Sequence, residues 1–316
     1  MQLAWNRLAR VARWTVAVVI VGAVIGHFSR LLSRSELWQN PPSFQPVWLV
    51  GTTGGYLLAF LIWGGYWTRL LRATSSETAT WRILKAYFVS QLGKYVPGKA
   101  LAIVIRVMLI RHHGVRPEVA AITATYETLT VMAAGAMLTA VLMPFVQTEA
   151  GQLWWKILAL LVLVGIPILP DVFNRLAYRA ARPFLSSQAP PIPRLASSHL
   201  VSGVIQASIG WVFLGCSLLT LLRAFGHEGL SLLTCTMYVA FSYVAGFLTL
   251  PAPGGLGVRE ALLQQFLAKS FLPSLGESQG EAFAVVIAIT LRFWWTVTEV
   301  GLAGLALAFP WETRRE

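Results

Sequence analysis

Apolar residues along this chain fall in long blocks separated by short polar stretches. Residues 14–28, 47–67, 119–145, 153–169, 200–222, 230–250 and 282–309 each approach or exceed the ~20 apolar residues that a helix needs to cross a bilayer. A further apolar stretch, 84–110, is interrupted by Tyr95-Val96-Pro97-Gly98-Lys99, which ends one helix and starts another. Its two arms of about 12 residues are each too short to span, so they predict a re-entrant hairpin turning at Pro97-Gly98. The block 230–250 likewise stops at Pro251-Ala252-Pro253-Gly254-Gly255-Leu256-Gly257, after which a shorter arm runs over 258–271. The pattern predicts an all-α polytopic membrane protein with about six full transmembrane helices and two Pro-Gly-broken re-entrant hairpins.

Loop charges orient these elements. Arg7, Arg10 and Arg13 precede the first block, Arg69, Arg72, Arg82 and Lys85 follow the second, and Arg111, His112, His113 and Arg116 follow the broken hairpin. The excess of basic residues on alternate loops predicts a cytoplasmic side and cytoplasmic termini, with Arg314 and Arg315 at the far end. His27, Phe28 and Arg30 after the first block offer no small-residue cleavage site, so that block is read as a retained helix and not a signal peptide. The stretch with Arg175, Arg179, Arg182 and Arg194, together with Pro183, Pro190, Pro191 and Pro193, is expected to be a basic, proline-rich cytoplasmic linker.

In this topology each half of a single transmembrane domain, about 1–150 and 151–316, reads helix, helix, broken hairpin, helix, the second half starting from the opposite side. That is the layout of an inverted-topology repeat, with Pro97-Gly98 matched to Pro253-Gly254.

Composition narrows the function classes. The 316 residues are 56% hydrophobic and 12% charged, with a mean hydropathy of +0.64, against roughly 25% charged residues in soluble domains. The formal charge of +12 follows from bases clustered beside apolar blocks and does not call for nucleic acid. Cys216 and Cys235 lie inside predicted spans without paired spacing and make neither a disulfide framework nor a metal site. The glycine-rich second break lacks the Lys-Ser/Thr ending of a P-loop, so no ATPase is indicated and no cofactor is expected.

Candidate site residues gather at the two breaks. Non-helical backbone at membrane depth survives only where protein covers it or a polar cavity solvates it. At the first break Lys94 and Lys99 flank the turn, and Arg106 lies two helical turns beyond Lys99 on the same face. Such a row could hold an anionic headgroup against free N–H groups; alternatively the lysines only snorkel to the interface. At the second break Gly254, Gly255 and Gly257 allow close backbone approach, Arg259 is a candidate phosphate contact and Glu260 its candidate partner.

Glu127, Arg292 and Glu299 lie well inside apolar blocks, where a charge costs several kcal/mol unless paired or hydrated. A structural Glu127–Arg292 ion pair and a role in substrate or proton handling are both open. The thirteen tryptophans, Trp154-Trp155 and Trp294-Trp295 among them, are expected to form interface belts and packing before any ligand-stacking box.

The segments Gln91-Leu-Gly-Lys-Tyr-Val-Pro-Gly-Lys99 and Pro251-Ala-Pro-Gly-Gly-Leu-Gly-Val-Arg-Glu260, with Glu127 in the helix after the first break, resemble motifs of the lysylphosphatidylglycerol synthase transmembrane-region family, also called flippase-like domain proteins. The resemblance covers nearly the whole chain and implies a lipid translocase of a prokaryotic plasma membrane. It suggests as cargo an anionic phospholipid, or a hopanoid or polyprenyl-linked lipid. The sequence ends at residue 316 without the aminoacyltransferase domain of the full-length synthases, so lysyl transfer is not expected of it. Two other readings compete: a membrane-embedded enzyme of lipid or glycan-lipid synthesis, and a non-catalytic membrane partner of a separate lipid- or glycan-modifying enzyme. The absence of a nucleophile, nucleotide or Asp-rich metal motif weighs against the enzyme.

Overall fold

A computed structural model describes residues 43–74, 78–95, 100–146, 154–181, 196–249 and 255–308, with a few isolated residues between 26 and 33. Among the described residues all regular structure is helical. Among these residues four helices are long and apolar enough to cross a membrane: α1 (Trp48–Ala73), α4 (Pro117–Val146), α7 (Ser197–Ala224) and α10 (Glu277–Ala308). They contain 26, 30, 28 and 32 residues, about 40–48 Å at a rise of 1.5 Å per residue, against a hydrocarbon core of about 30 Å. Each extends the apolar block that predicts it; α4 gains its first turn from Pro117, whose fixed φ suits that position, and from Glu118. The first predicted block, 14–28, lies almost wholly outside the described residues.

Both broken segments fold as helix pairs. The first is α2 (Thr80–Ser90), a 3₁₀ turn (Gln91–Tyr95) and α3 (Ala100–Arg111); the second is α8 (Leu232–Leu248) and α9 (Val258–Leu275). Pro97, Gly98 and Lys99, and Pro253 and Gly254, lie outside the described residues. Glycine allows the arms to fold back. A Cβ on Gly93 would stand 2.7 Å from the backbone of Ala102, and one on Gly255, where φ is +71°, would stand 2.8 Å from the Gly246 carbonyl oxygen.

The block 153–169 departs from expectation. Instead of one straight span, α5 (Trp154–Gly165) gives way to a 3₁₀ turn (Ile166–Ile168), and α6 (Pro170–Ala181) then leaves at 74°. Pro167 and Pro170 cause the break, since neither supplies an N–H to continue the ladder and each ring crowds the preceding turn. Arg175 and Arg179, expected in an irregular linker, therefore lie on a helix; Arg182, Arg194 and the prolines of that linker lie outside the described residues.

The chain divides into two compact units. Unit 1 comprises residues 1–56, 94–99 and 214–298; unit 2 comprises 57–93, 100–213 and 299–316. In unit 2, indole rings sit against helical glycines and donate to main-chain carbonyls of a neighbouring helix. Trp63 Nε1 donates to the Ala207 carbonyl at 3.1 Å and packs on Gly210, while Trp211 Nε1 donates to the Val131 carbonyl at 2.8 Å and packs on Gly135. Each indole thereby fills a notch and satisfies its own N–H where no water can. In unit 1 the chain of bonds runs from Trp295 Nε1 to Ser217 Oγ (2.8 Å) and from Ser217 Oγ to the Thr52 carbonyl (2.7 Å).

Gly135→Ala would place a Cβ 2.7 Å from the Trp211 ring and should lower stability by about 1–3 kcal/mol, whereas Gly54→Ala, which meets nothing within 4 Å, should leave it unchanged or raised. Thermal unfolding of both variants in the same detergent checks this; equal melting temperatures would contradict the notch packing.

Candidate functional site

Each unit holds a cluster of buried charge, and the two are built differently. In unit 2 the centre is Glu127, ten residues past Pro117 on α4 and so about 15 Å along the helix axis. Arg106 on α3 donates Nη1–H to Glu127 Oε2 at 2.8 Å and Nε–H to Ser90 Oγ at 3.2 Å. The Tyr87 hydroxyl donates to Glu127 Oε1 at 3.2 Å. The Arg106 guanidinium lies over the rings of Tyr87 and Trp67, 4.5 and 4.8 Å from their centroids. Trp67 is held in turn by its Nε1–H, which donates to Thr123 Oγ1 at 3.2 Å.

Arg106 and Glu127 are 4% and 2% exposed, and their charges cancel within one closed network. Losing both hydration shells is repaid only by such full satisfaction, so this pair reads as a structural lock of unit 2. Within unit 2 the Glu127 carboxylate is held by Arg106, which the returning arm of the first hairpin delivers to α4.

In unit 1 the centre is Arg259, on the first turn of α9 and only 6% exposed. Its guanidinium lies 4.0 Å from the Tyr243 ring centroid and 4.6 Å from that of Trp295. Trp295 is oriented by Ser217 and by its ring contact with Tyr56, centroid to centroid 5.3 Å. Among the described residues Arg259 makes no hydrogen bond and no ion pair.

The expected Arg259–Glu260 partnership is not made. Glu260 turns back on its own helix end, where Oε2 accepts from the Gly257 N–H at 2.7 Å, and Oε1 lies 3.5 Å from Arg292 Nε. Consecutive helical residues point about 100° apart, and the capping bond holds the carboxylate on its own side. Gly257, at φ +87°, supplies the turn that aims its N–H at this carboxylate.

Tyr95 completes the cluster: Arg292 and Lys94 lie 5.2 and 5.6 Å from its ring centroid, and its hydroxyl meets Thr296 Oγ1 at 3.0 Å. Lys94, Arg259 and Arg292 thus bring three basic side chains to unit 1, with Arg292 Nε facing the Glu260 carboxylate. A buried guanidinium held by aromatic faces has the chemistry to bind an oxyanion, since it can grip a phosphate or carboxylate with two N–H groups.

Sequence reasoning selected the charged members of both clusters but not the rings that cage them. Trp295 was assigned to belts or packing, yet it stacks on Arg259 while buried. Only its spacing of three from Arg292 on one helix hinted at a shared face. Among the described residues no group of His, Cys, Asp and Glu could hold a metal ion.

Glu127→Leu would strand the Arg106 charge and should cost about 3–5 kcal/mol, while the double replacement Glu127→Leu with Arg106→Met should recover most of it. Thermal unfolding of the three variants in nanodiscs provides the measurement, and an unaltered single variant would remove the lock from the account.

Comparison with curated proteins finds no match. The chain does match the family described as Lysylphosphatidylglycerol synthase TM region over residues 14–301, a span that includes every charged residue of both clusters. With that extent of agreement, and with broken hairpins that carry the buried arginines, the chain belongs to the lysylphosphatidylglycerol synthase transmembrane-region family of multi-pass membrane proteins.

Proposed function

We propose that this protein is a flippase-like translocase that moves an anionic lipid headgroup, with Arg259 as the residue that grips the phosphate. The observation that carries the reading is the buried Arg259 guanidinium, held between Tyr243 and Trp295 and lacking any hydrogen bond or ion pair among the described residues. Burial of a charge without a partner is costly, and an incoming oxyanion would remove that cost. The rings hold the arginine by its faces, so its N–H edge is left for the ligand.

Lys94 and Arg292 would add positive potential, while Glu260 restrains Arg292 and caps α9. Gly255 and Gly257, next to Pro253 and Gly254, would let backbone N–H groups approach the headgroup at the start of α9. Pro97, Gly98 and Lys99 would play the corresponding part at the first break. Arg106 and Glu127, being mutually neutralised, would keep the first hairpin in place rather than bind cargo. Lipid tails need no site, since they can stay in the bilayer throughout.

The substrate class that fits is a phospholipid or polyprenyl-linked lipid with an accessible phosphate. The basic residues Arg69, Arg72, Arg111 and Arg116 at the ends of α1, α3 and α4 support a cytoplasmic placement of that side in a prokaryotic plasma membrane. A separate lipid- or glycan-modifying enzyme is the natural partner for a translocase that itself lacks a nucleophile motif.

Leaflet transfer of fluorescent phosphatidylglycerol, its lysyl form and a polyprenyl phosphate in proteoliposomes tests the reading. Arg259→Ala should slow transfer of the preferred lipid at least tenfold, in line with the ~2–5 kcal/mol lost on truncating one partner of a buried charge-assisted contact. Arg259→Lys should retain part of the rate. Native-like transfer by a folded Arg259→Ala protein, or no transfer of any of the three lipids by the native chain, would overturn it.

A further inference from the structure

Unit 2 carries a second feature suited to lipid, independent of the Arg259 cluster. Helix α6 leaves the preceding apolar segment at 74°, so when that segment runs across the bilayer α6 runs nearly along its surface. Its inner face is anchored: Phe173 is buried, with its ring centroid 4.6 Å from that of Tyr126, in a cluster with Tyr66 and Leu70. Its outer face carries Arg175 and Arg179, both exposed, with Leu176 half-exposed on the flank.

Depth follows from where α5 and α6 touch α4. Leu161 of α5 packs on Ala140 and Met143, toward the C-terminal end of α4, whereas Phe173 of α6 meets Tyr126, nine residues from Pro117. At 1.5 Å per residue Tyr126 lies about 13 Å from the end of α4 that bears Arg116. A 30-residue helix overhangs a ~30 Å core by roughly 7 Å at each end, which puts α6 within about 6 Å of the core boundary. That is the depth at which interfacial helices bury their apolar face, and from it long arginine side chains can extend outward to the phosphate layer. Among the described residues Asp171, in the first turn of α6, forms no ion pair with either arginine, and both side chains are exposed.

We propose that α6 is an interfacial helix that seats unit 2 among anionic phospholipids, with Arg175 and Arg179 binding headgroup phosphates and Leu176 entering the acyl boundary. The apolar flank and the depth favour a lipid surface over an acidic soluble protein, which would need the outer face of α6 to stand in water.

Two measurements on the full chain test this. The first uses nitroxide labels at Leu176→Cys and Asp171→Cys, in a Cys216→Ser, Cys235→Ser background, in nanodiscs of phosphatidylcholine with phosphatidylglycerol. The label at 176 should be reached better by oxygen than by a water-soluble nickel chelate, and the label at 171 the reverse. The second is native mass spectrometry of retained phosphatidylglycerol relative to phosphatidylcholine. That preference should fall about fivefold for each arginine replaced by Gln and persist in Arg175→Lys with Arg179→Lys. A nickel-accessible label at 176 would overturn the proposal in favour of an aqueous partner, and an unchanged lipid preference in Arg175→Gln with Arg179→Gln would overturn the role of the arginines. Because Arg259 is untouched, failure here leaves the translocase reading as it stood.

Discussion

A charge that has left water must be answered by something else, and this chain gives two answers. In unit 2 the Arg106 guanidinium meets the Glu127 carboxylate, and hydroxyls from Tyr87 and Ser90 take up remaining valences. In unit 1, among the described residues, Arg259 receives only the faces of Tyr243 and Trp295. The first arrangement is self-sufficient and holds helices together. The second is not a charge pair among the described residues, and on that difference the proposed role of Arg259 as an anion contact rests.

The same constraint shapes the packing around each cluster. An indole N–H in a bilayer needs an acceptor, and the main-chain carbonyls of neighbouring helices become accessible only where a glycine lets the ring come close. Trp63 and Trp211 use such notches at Gly210 and Gly135, fixing the helices on which unit 2 rests. Trp295 instead spends its N–H on Ser217, which leaves the indole face turned to Arg259. Packing and site construction thus use one device.

Broken helices serve both ends. A continuous span places a charge wherever its sequence falls, but a pair of helices packed back on one another can return a side chain to a chosen level. Gly93 against Ala102 and Gly255 against Gly246 bring the arms near enough for this. Arg106 lies on the returning arm of one hairpin and Arg259 on the first turn of the returning arm of the other.

The sequence by itself determined that this is a polytopic helical membrane protein, where its main spans and its two breaks lie, and which charged residues fall within or beside apolar blocks. Those properties depend on local apolar length, on proline and glycine, and on the cost of isolated charge, all of which are written residue by residue. Only the tertiary structure decided which charges meet. Glu127 pairs with Arg106, Glu260 turns from Arg259 to Gly257 and Arg292, and the rings of Tyr243 and Trp295 close on Arg259. Likewise the apolar run that reads as one span bends by 74° at Pro167 and Pro170, because composition records how apolar a segment is but not how the turn between two prolines redirects it. Contacts between residues far apart in the chain depend on helix rotation and depth, and these are set by packing against neighbours that local pattern does not specify.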